Sequence, residues 1–438
     1  MVMHEYKAME ALIIAGGKGT RLAEYTTEIP KPMIQLCGKP VLEHQIEVLK
    51  KNGITDITIT VGHLKEAVMD YFKDGRDFGV KIKYLEEEKP LGTCGVFYLL
   101  NGAVKRTVFV VLGDVIFDMD ISRFYKFHKK SGAQISLVVH PNTHPYDSDI
   151  IDCDDKGKVK KIFSKKGDRP QYLFNRVNAG AYLIEPEVFD GFQGPEKRDL
   201  EKDLISSHIV RGEVYAYQTT EYLKDMGTMD RLQETEKHIK TGLVSKMSLF
   251  SKQKCVFLDR DGTINKLKGL IYSPDQIELE ENAGKALHQL NDNGYLCIII
   301  TNQPVIARNL CDFDTLDEIQ KKLETLLGQE HAFVNDTFIC PHHPDKGYPE
   351  ERPEYKIKCT CRKPEIGMVQ QAVEKHNIDL SRSFFVGDTT TDILTGSRAG
   401  LRTILLKTGE AGNDRKYEVE PDQVCENLLQ AVNWILTQ

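Results

Sequence analysis

The chain opens a ligand-binding fold twice. L-I-I-A-G-G-K-G-T-R-L occupies residues 12–22 and V-F-L-D-R-D-G-T-I-N occupies residues 256–265. In each, a short apolar, β-rich run passes directly into polar residues and glycine. That is the pattern of a buried strand whose carboxyl end opens onto a ligand loop. A single sheet has no use for two such first strands, and 438 residues exceed what one core usually supports. Two domains are expected, with room for a third.

Around each start, strand-like runs alternate with amphipathic helical ones. In the first part A-L-I-I-A (11–15), I-T-D-I-T-I-T-V (54–61), T-V-F-V-V-L (107–112) and Q-I-S-L-V-V (134–139) read as strands. Val41, Leu42, Ile46 and Leu49 mark one face of a helix that Asn52-Gly53 ends. The alternation restarts with K-C-V-F-L-D (254–259), a helix near 283–293, Y-L-C-I-I-I-T (295–301), S-F-F-V-G-D (383–388) and R-T-I-L-L-K (402–407). Such alternation predicts an α/β fold with mainly parallel sheets. A Lys-rich stretch around 238–254 separates the two parts, which suggests domains at 1–240 and 254–438 with a linker at 241–253, although Leu249-Phe250 offers an apolar pair that can dock.

The composition is that of an ordinary globular protein, with 40% hydrophobic and 28% charged residues. A net charge of -7 gives no electrostatic basis for nucleic acid as a general partner. No apolar run approaches the ~18 residues that a membrane span requires, and M-V-M-H-E-Y-K-A-M-E lacks a signal-type apolar stretch. A cytoplasmic protein without a membrane partner is expected. Among ten cysteines, Cys340, Cys359 and Cys361 sit close together beside His342 and His343. In a reducing compartment that grouping points to metal rather than disulfides.

The first start is a candidate phosphate cradle. Gly16, Gly17, Gly19 and Thr20 let the backbone approach phosphate oxygens, and Arg21 adds a bidentate cation. The spacing is not that of a Walker loop, and a glycine turn before a helix reads the same way. Downstream come I-P-K-P-M with Lys31, then E-K-P-L-G-T-C-G (88–95) with Gly92, V-L-G-D (111–114), V-N-A-G-A-Y-L-I (177–184) and L-K-D-M-G-T (223–228). In this order the set resembles the sugar-phosphate nucleotidyltransferases over residues 9–240. The resemblance implies transfer of a nucleotidyl group from a nucleoside triphosphate to a sugar 1-phosphate. It gives Asp114 and Asp225 a magnesium ion, Arg21 and Lys31 the phosphates, and Asn178 and Gly180 the sugar pocket. Read without it, Asp114 is first a turn residue after a strand and Asp225 a helix N-cap, ahead of a metal role. Members often carry F-x-E-K; here F-S-K-K (163–166) keeps Lys166 for the sugar phosphate but places Lys165 where the hydroxyl-binding glutamate stands.

The second start carries Asp259 and Asp261. Two nearby carboxylates and a magnesium ion can cleave a phosphate monoester, one as nucleophile and the other as acid and then base. Thr301-Asn302, Arg362-Lys363-Pro364 and V-G-D-T-T-T-D (386–392) supply the remaining groups. D-x-D-G-T with T-N, R-K-P and G-D-x-x-x-D resembles the haloacid dehalogenase phosphatases over about 254–410. The resemblance makes Asp259 the nucleophile and Asp261 the acid/base. It places magnesium on Asp259, the main chain of Asp261 and Asp388, and the phosphoryl group on Thr301 and Lys363. Asp392 reads as a helix cap or as part of the ion's surroundings.

C-P-H-H-P (340–344) and C-T-C-R-K-P (359–364) form a C-x-H…C-x-C group suited to structural zinc. Cys340, His342, Cys359 and Cys361 match the resemblance, with His343 as the competing imidazole. Zinc would fix a loop with few apolar residues. With F-L-D-R-D-G-T-I-N, this group resembles the heptose 1,7-bisphosphate 7-phosphatases and the related histidinol-phosphate phosphatases. T-N-Q-P-V (301–305), Asn309 and Thr389 depart from their usual T-N-Q-S-G, Gly and Lys.

Together the resemblances imply two consecutive steps. The second domain would turn heptose 1,7-bisphosphate into heptose 1-phosphate, and the first would join that sugar to GMP from GTP. The alternatives are a mannose- or glucose-1-phosphate nucleotidyltransferase, a phosphatase of other specificity, and a second domain that only binds phosphorylated metabolites. The sequence leaves a homo-oligomer open.

Overall fold

The computed structural model describes residues 6, 9–17, 29–345, 347 and 351–438. The chain divides into two compact units. Met1–His140, Ile151–Phe163 and Arg176–Phe250 form the first; Pro141–Ile150, Ser164–Asn175 and Ser251–Gln438 form the second.

In the first unit, β1 (Glu10–Ile14) lies between β2 (Asp56–Val61) and β4 (Val108–Leu112), with β3 (Lys81–Glu86) beyond β2, all parallel. Ala11 and Ile13 enter one hydrophobic core, Leu12 and Ile14 the other. The sheet is therefore covered on both faces, as its continuous apolar runs require. The helix α1 (Val41–Lys51) buries Leu42, Ile46 and Leu49, and Asn52 closes it. Beyond β4 the sheet becomes mixed: β9 (Val177–Ile184) runs antiparallel to β4 and to β6 (Ile135–His140). A separate two-stranded ribbon pairs β5 (Val115–Asp118) with β11 (Tyr222–Asp225), antiparallel, with Asp225 opposite Val115.

Ile14 of β1 faces Leu112 of β4, so the two strands end level and the loops after them meet. The Gly113 N–H donates to the Ile14 carbonyl at 2.8 Å. A Cβ on Gly113 would lie 3.0 Å from that oxygen, so the closeness of the two loops depends on glycine. Past α4 (Met229–Lys240) the Lys-rich stretch forms the single turn Leu243–Lys246. It then buries Ser248 and Leu249, the latter donating its N–H to Glu221 Oε1 at 2.8 Å. The apolar pair noted at 249–250 is thus docked through Leu249, within the first unit.

The second unit holds a six-stranded parallel sheet. Its order is β14 (Asp336–Cys340), β13 (Leu296–Asn302), β12 (Cys255–Leu258), β15 (Phe384–Gly387), β16 (Arg402–Leu406), β17 (Gln423–Cys425). Val256 and Leu258 pack on one face, Cys255 and Phe257 on the other. The chain leaves β12 to one side for β13 and returns to the other side for β15. The crevice at the carboxyl ends of β12 and β15 is therefore a topological switch point, where doubly wound sheets bind ligands. Helix α7 (Phe313–Gln329) carries the unit's two sequence-remote segments: Tyr146 donates to the Thr325 carbonyl at 2.8 Å, and the Asn175 N–H to Glu324 Oε2 at 2.9 Å. Among the described residues no helix is long and apolar enough to cross a membrane.

Candidate active sites

In the first unit the β5–β11 ribbon brings two aspartates close together in the backbone. Asp114 lies in the tight turn from β4 to β5, and Asp225 ends β11. The Met226 N–H donates to the Asp114 carbonyl at 2.7 Å, which ties the two turns together. Lys31, in a 3-10 turn opened by Pro30, forms an ion pair with Asp114. Asp225 is held by Arg231, whose Nη1 lies 2.8 and 2.7 Å from its two oxygens. Burial favours the neutral acid of Asp225, but the Arg231 guanidinium, helped by Lys31, holds its carboxyl below the usual carboxylate range. Lys31 therefore acts on both acids. The two hard carboxylates are partly open to solvent and suit a magnesium ion accompanied by phosphate oxygens.

The other expected residues are dispersed. Gly16 and Gly17 follow β1, but the Gly16 N–H is engaged by Thr60 Oγ1 at 3.2 Å and is not directed at a ligand. A Cβ on Gly16 would meet Glu87 Oε1 at 2.5 Å. Gly19, Thr20 and Arg21 lie outside the described residues. Gly92 has φ 80° and passes so near Arg198 that a Cβ would lie 2.4 Å from its carbonyl. Asn178 donates through Nδ2 to Glu201 Oε1 at 2.5 Å and Tyr182 Oη at 3.0 Å, while its Oδ1 accepts the Gly180 N–H at 3.2 Å. Gly180, at φ 73°, sits in the bulge of β9. Lys166 lies in the exposed turn 164–167, in a segment that belongs to the second unit. Sequence reasoning missed Arg231, Glu201, Thr60 and Glu87, each of which binds a motif residue from outside the motifs.

In the second unit the acids converge. Asp259 follows β12, Asp388 follows β15, and Asp392 lies on α9 (Thr390–Arg398). One oxygen from each lies within 4.8 Å of the others. Lys363 Nζ stands 2.9 Å from Asp259 Oδ1 and 2.6 Å from Asp392 Oδ1. Lys363 is itself fixed by Asn302, which accepts its N–H at 3.0 Å and donates to its carbonyl at 3.2 Å. Thr301 is buried and accepts from Gln303 Nε2 at 2.9 Å. Asp392 also closes a capping box with Thr389 at the start of α9, as the cap reading expects, and is one of the three converging acids.

Burial and the Asp392 charge push Asp259 up to about 7 against the pull of Lys363. Burial, Asp259 and Asp392 push Asp388 up to about 8. Among the described residues Asp388 Oδ1 is buried and has no hydrogen-bond partner, whereas Oδ2 accepts the Glu410 N–H at 2.7 Å. Crowded acids with one oxygen left over match a hard divalent cation, and magnesium fits this donor set.

Asp261 stands apart from the trio. Arg260, fully buried, grips it with Nε and Nη2 at 3.0 Å each, and Asn265 and Gln303 donate at 3.0 and 2.9 Å. Burial favours its neutral form, but these donors, Arg260 first, hold it below the usual range. A cavity of about 760 Å³ opens over Asp259, Asp261, Thr301, Lys363 and Asp388, with Pro304, Ile357 and Tyr417 further out. Such a volume admits a sugar phosphate as readily as a bare phosphate.

The cysteine group is compact. Sγ–Sγ distances among Cys340, Cys359 and Cys361 are 3.7, 3.3 and 3.2 Å, and His342 Nδ1 lies 3.3 Å from Cys361 Sγ and 3.7 Å from Cys340 Sγ. Tetrahedral zinc with ~2.3 Å bonds to sulfur would set such edges near ~3.8 Å, so the residues fit that metal with a slight expansion. His343 turns away and accepts the Asp345 N–H at 3.2 Å. The departures also find physical reasons. Asn309 takes φ 55°, which explains why glycine suits that position and why asparagine is tolerated. Thr389 spends its hydroxyl on Asp392 at 2.6 Å.

Residues 10–242, more than half of the chain, match the nucleotidyl transferase family, and residues 360–431 match HAD-hydrolase-like proteins. The chain belongs to the nucleotidyl transferase family and carries a haloacid dehalogenase domain behind it. The second part is 39% identical over 185 residues to the D-glycero-beta-D-manno-heptose-1,7-bisphosphate 7-phosphatase of Haemophilus ducreyi, covering 42% of this chain and 98% of that protein. The first part is 34% identical to the UTP–glucose-1-phosphate uridylyltransferase of Synechocystis sp., over 47% of this chain and 56% of the relative. It is 32% identical to the mannose-1-phosphate guanyltransferase of Debaryomyces hansenii, over 50% of this chain and 61% of the relative. The chain thus spans little more than half the length of these two transferases. A nucleotidyltransferase is fused here to a domain like the heptose-bisphosphate phosphatases.

Proposed function

We propose that the chain catalyses two consecutive reactions on one sugar. The domain at 254–438 removes the 7-phosphate of D-glycero-D-manno-heptose 1,7-bisphosphate. The domain at 1–240 then transfers GMP from GTP to the heptose 1-phosphate, giving GDP-heptose and pyrophosphate. The observation that carries this reading is the Asp259–Asp388–Asp392 trio around Lys363, in a domain similar along its whole length to a phosphatase of that name.

In the phosphatase step Asp259 Oδ attacks phosphorus in line with the sugar oxygen. The P–O bond to the sugar breaks as the aspartyl-phosphate forms. Asp261 gives the departing oxygen its proton and then takes one from the water that splits the acyl phosphate. Its pairing with Arg260 favours the ionised form needed for that second step, so the proton given in the first step comes from the substrate's phosphate monoanion and passes through Asp261 to the departing oxygen. Lys363 and Thr301 hold the phosphoryl oxygens. Magnesium on Asp259, Asp388 and the Asp261 main chain would neutralise charge on the reacting phosphate. Zinc on Cys340, His342, Cys359 and Cys361 would hold the loop that delivers Arg362 and Lys363.

In the transfer step a phosphate oxygen of the sugar 1-phosphate attacks the α-phosphorus and pyrophosphate leaves. Lys31 orients the reacting phosphates, and Arg21, Gly17, Gly19 and Thr20 hold the triphosphate. Asp114 and Asp225 would carry the second magnesium ion, which offsets the crowded anions. Asn178, Gly180, Gly92 and Lys166 are assigned to the sugar and its phosphate.

Incubation with heptose 1,7-bisphosphate, GTP and magnesium should yield inorganic phosphate, pyrophosphate and a GDP-sugar of heptose mass. Phosphate release without any sugar nucleotide would overturn the guanylyl-transfer half. A hexose reading is favoured by the two transferase relatives, named for glucose and mannose. Turnover of mannose or glucose 1-phosphate well above heptose 1-phosphate would select it.

A further inference from the structure

The acid that follows β15 is held by a loop rather than by its own strand. Residues 408–417 contain no helix or strand, and Gly409, Ala411, Gly412 and Arg415 all have positive φ. From this loop the Glu410 N–H donates to Asp388 Oδ2 at 2.7 Å and the Gly412 N–H to the Asp388 carbonyl at 2.8 Å. The first bond occupies one carboxylate oxygen and leaves buried Oδ1 as the free one. Gly409 approaches so closely that a Cβ there would lie 2.0 Å from Oδ2, so the backbone itself forms this wall.

A loop with two non-glycine residues in the left-handed region stays in place only if something fixes it. Asp414 does so. It accepts the Thr390 N–H and the Thr390 hydroxyl, both at 2.8 Å, at the first turn of α9. It thereby satisfies a helix-start donor and binds the loop to the helix that carries Asp392. We propose that Asp414 is a positioning residue for the phosphatase site: it latches loop 408–417 onto α9 so that Glu410 orients Asp388 with Oδ1 presented to the divalent cation. The inference rests on the metal role proposed for Asp388.

Manganese serves as the probe, with binding to the full chain followed by its electron paramagnetic resonance signal and phosphate release followed separately. Because the transferase site also takes a divalent cation, all variants carry Asp114→Asn, and binding lost on Asp259→Asn defines the phosphatase site. Asp414→Ala should weaken that site for manganese about tenfold, the usual effect of losing a group that orients a ligand. It should raise the magnesium concentration for half-maximal phosphate release by a similar factor. Asp414→Asn, which keeps an acceptor for the Thr390 N–H, should restore most of the affinity. Thr390→Val, which removes the hydroxyl that bonds both Asp414 and the Tyr417 N–H but keeps the Thr390 N–H, should give a smaller shift and guards against a poorly folded alanine variant. Unchanged manganese affinity in folded Asp414→Ala overturns the latch. Manganese affinity that falls in Asp414→Ala and returns in Asp414→Asn supports it even where the wild type releases no phosphate, an outcome that instead removes the phosphatase reading.

Discussion

Single residues separate the two chemistries. Asp259→Asn keeps the shape of the side chain but removes the proposed nucleophile, so phosphate release should fall at least ~10³-fold while sugar-nucleotide formation from supplied sugar 1-phosphate continues. Asp114→Asn should do the reverse, and loss of both activities in either variant would contradict separate sites. Assays of each half-reaction on both variants decide this. Acids, lysine and cysteines were legible because their spacing within a motif is short and chemically demanding. Their partners were not. Arg231 reaches back from α4 to Asp225, and Glu201 grips Asn178 across 23 positions; no periodicity announces such pairs. Arg260 was in plain view between two aspartates, yet only the folded loop turns it onto Asp261.

At the scale of elements, strands were the easiest to foresee. Strand runs expected at 11–15, 107–112, 295–301 and 402–407 correspond to Glu10–Ile14, Val108–Leu112, Leu296–Asn302 and Arg402–Leu406. These are apolar runs buried on both faces, and burial of that kind writes itself into composition. The β5–β11 ribbon was not foreseen, because Y-L-K-D pairs with a strand more than 100 residues earlier. The join behind it carries a titration. Glu221 is buried and accepts N–H bonds from Asp120 and Leu249; burial foremost pushes its carboxyl up to about 7. A raised folded value stabilises the fold most below the unfolded value, near 4.3, and that contribution is lost as pH rises through about 7. The first unit should therefore lose stability between those limits, by up to ~3 kcal/mol. Glu221→Gln, which keeps the acceptor, should flatten that slope in urea titrations run at pH 5 and pH 8. The loop proposed to hold zinc belongs to the same scale. Chelation of zinc should lower the unfolding midpoint of the second unit and leave nucleotidyl transfer in place, read by calorimetry beside a transferase assay; phosphatase stability indifferent to metal content would remove the structural role of the four ligands.

For the whole molecule, the question is what a nucleotidyltransferase and a phosphatase-like domain on one chain achieve together. Each unit has its own sheet, its own core and its own acids, so the acids of neither chemistry come from the other half. On the proposed reading, fusion guarantees equal amounts of two enzymes whose product and substrate coincide. That account makes a quantitative demand: the intermediate must be free to leave one molecule and enter another. An equimolar mixture of Asp114→Asn and Asp259→Asn chains contains one working copy of each site per pair, but never both on one chain. If heptose 1-phosphate exchanges through solution, the mixture should convert bisphosphate and GTP to sugar nucleotide at about half the rate of the same total concentration of wild type, after a lag while the intermediate accumulates. An excess of unlabelled heptose 1-phosphate should dilute label from the bisphosphate fully in both. A wild type that shows no lag and resists dilution, beside a mixture that shows both effects, would mean that the intermediate is handed over within the chain, and co-production would no longer explain the fusion.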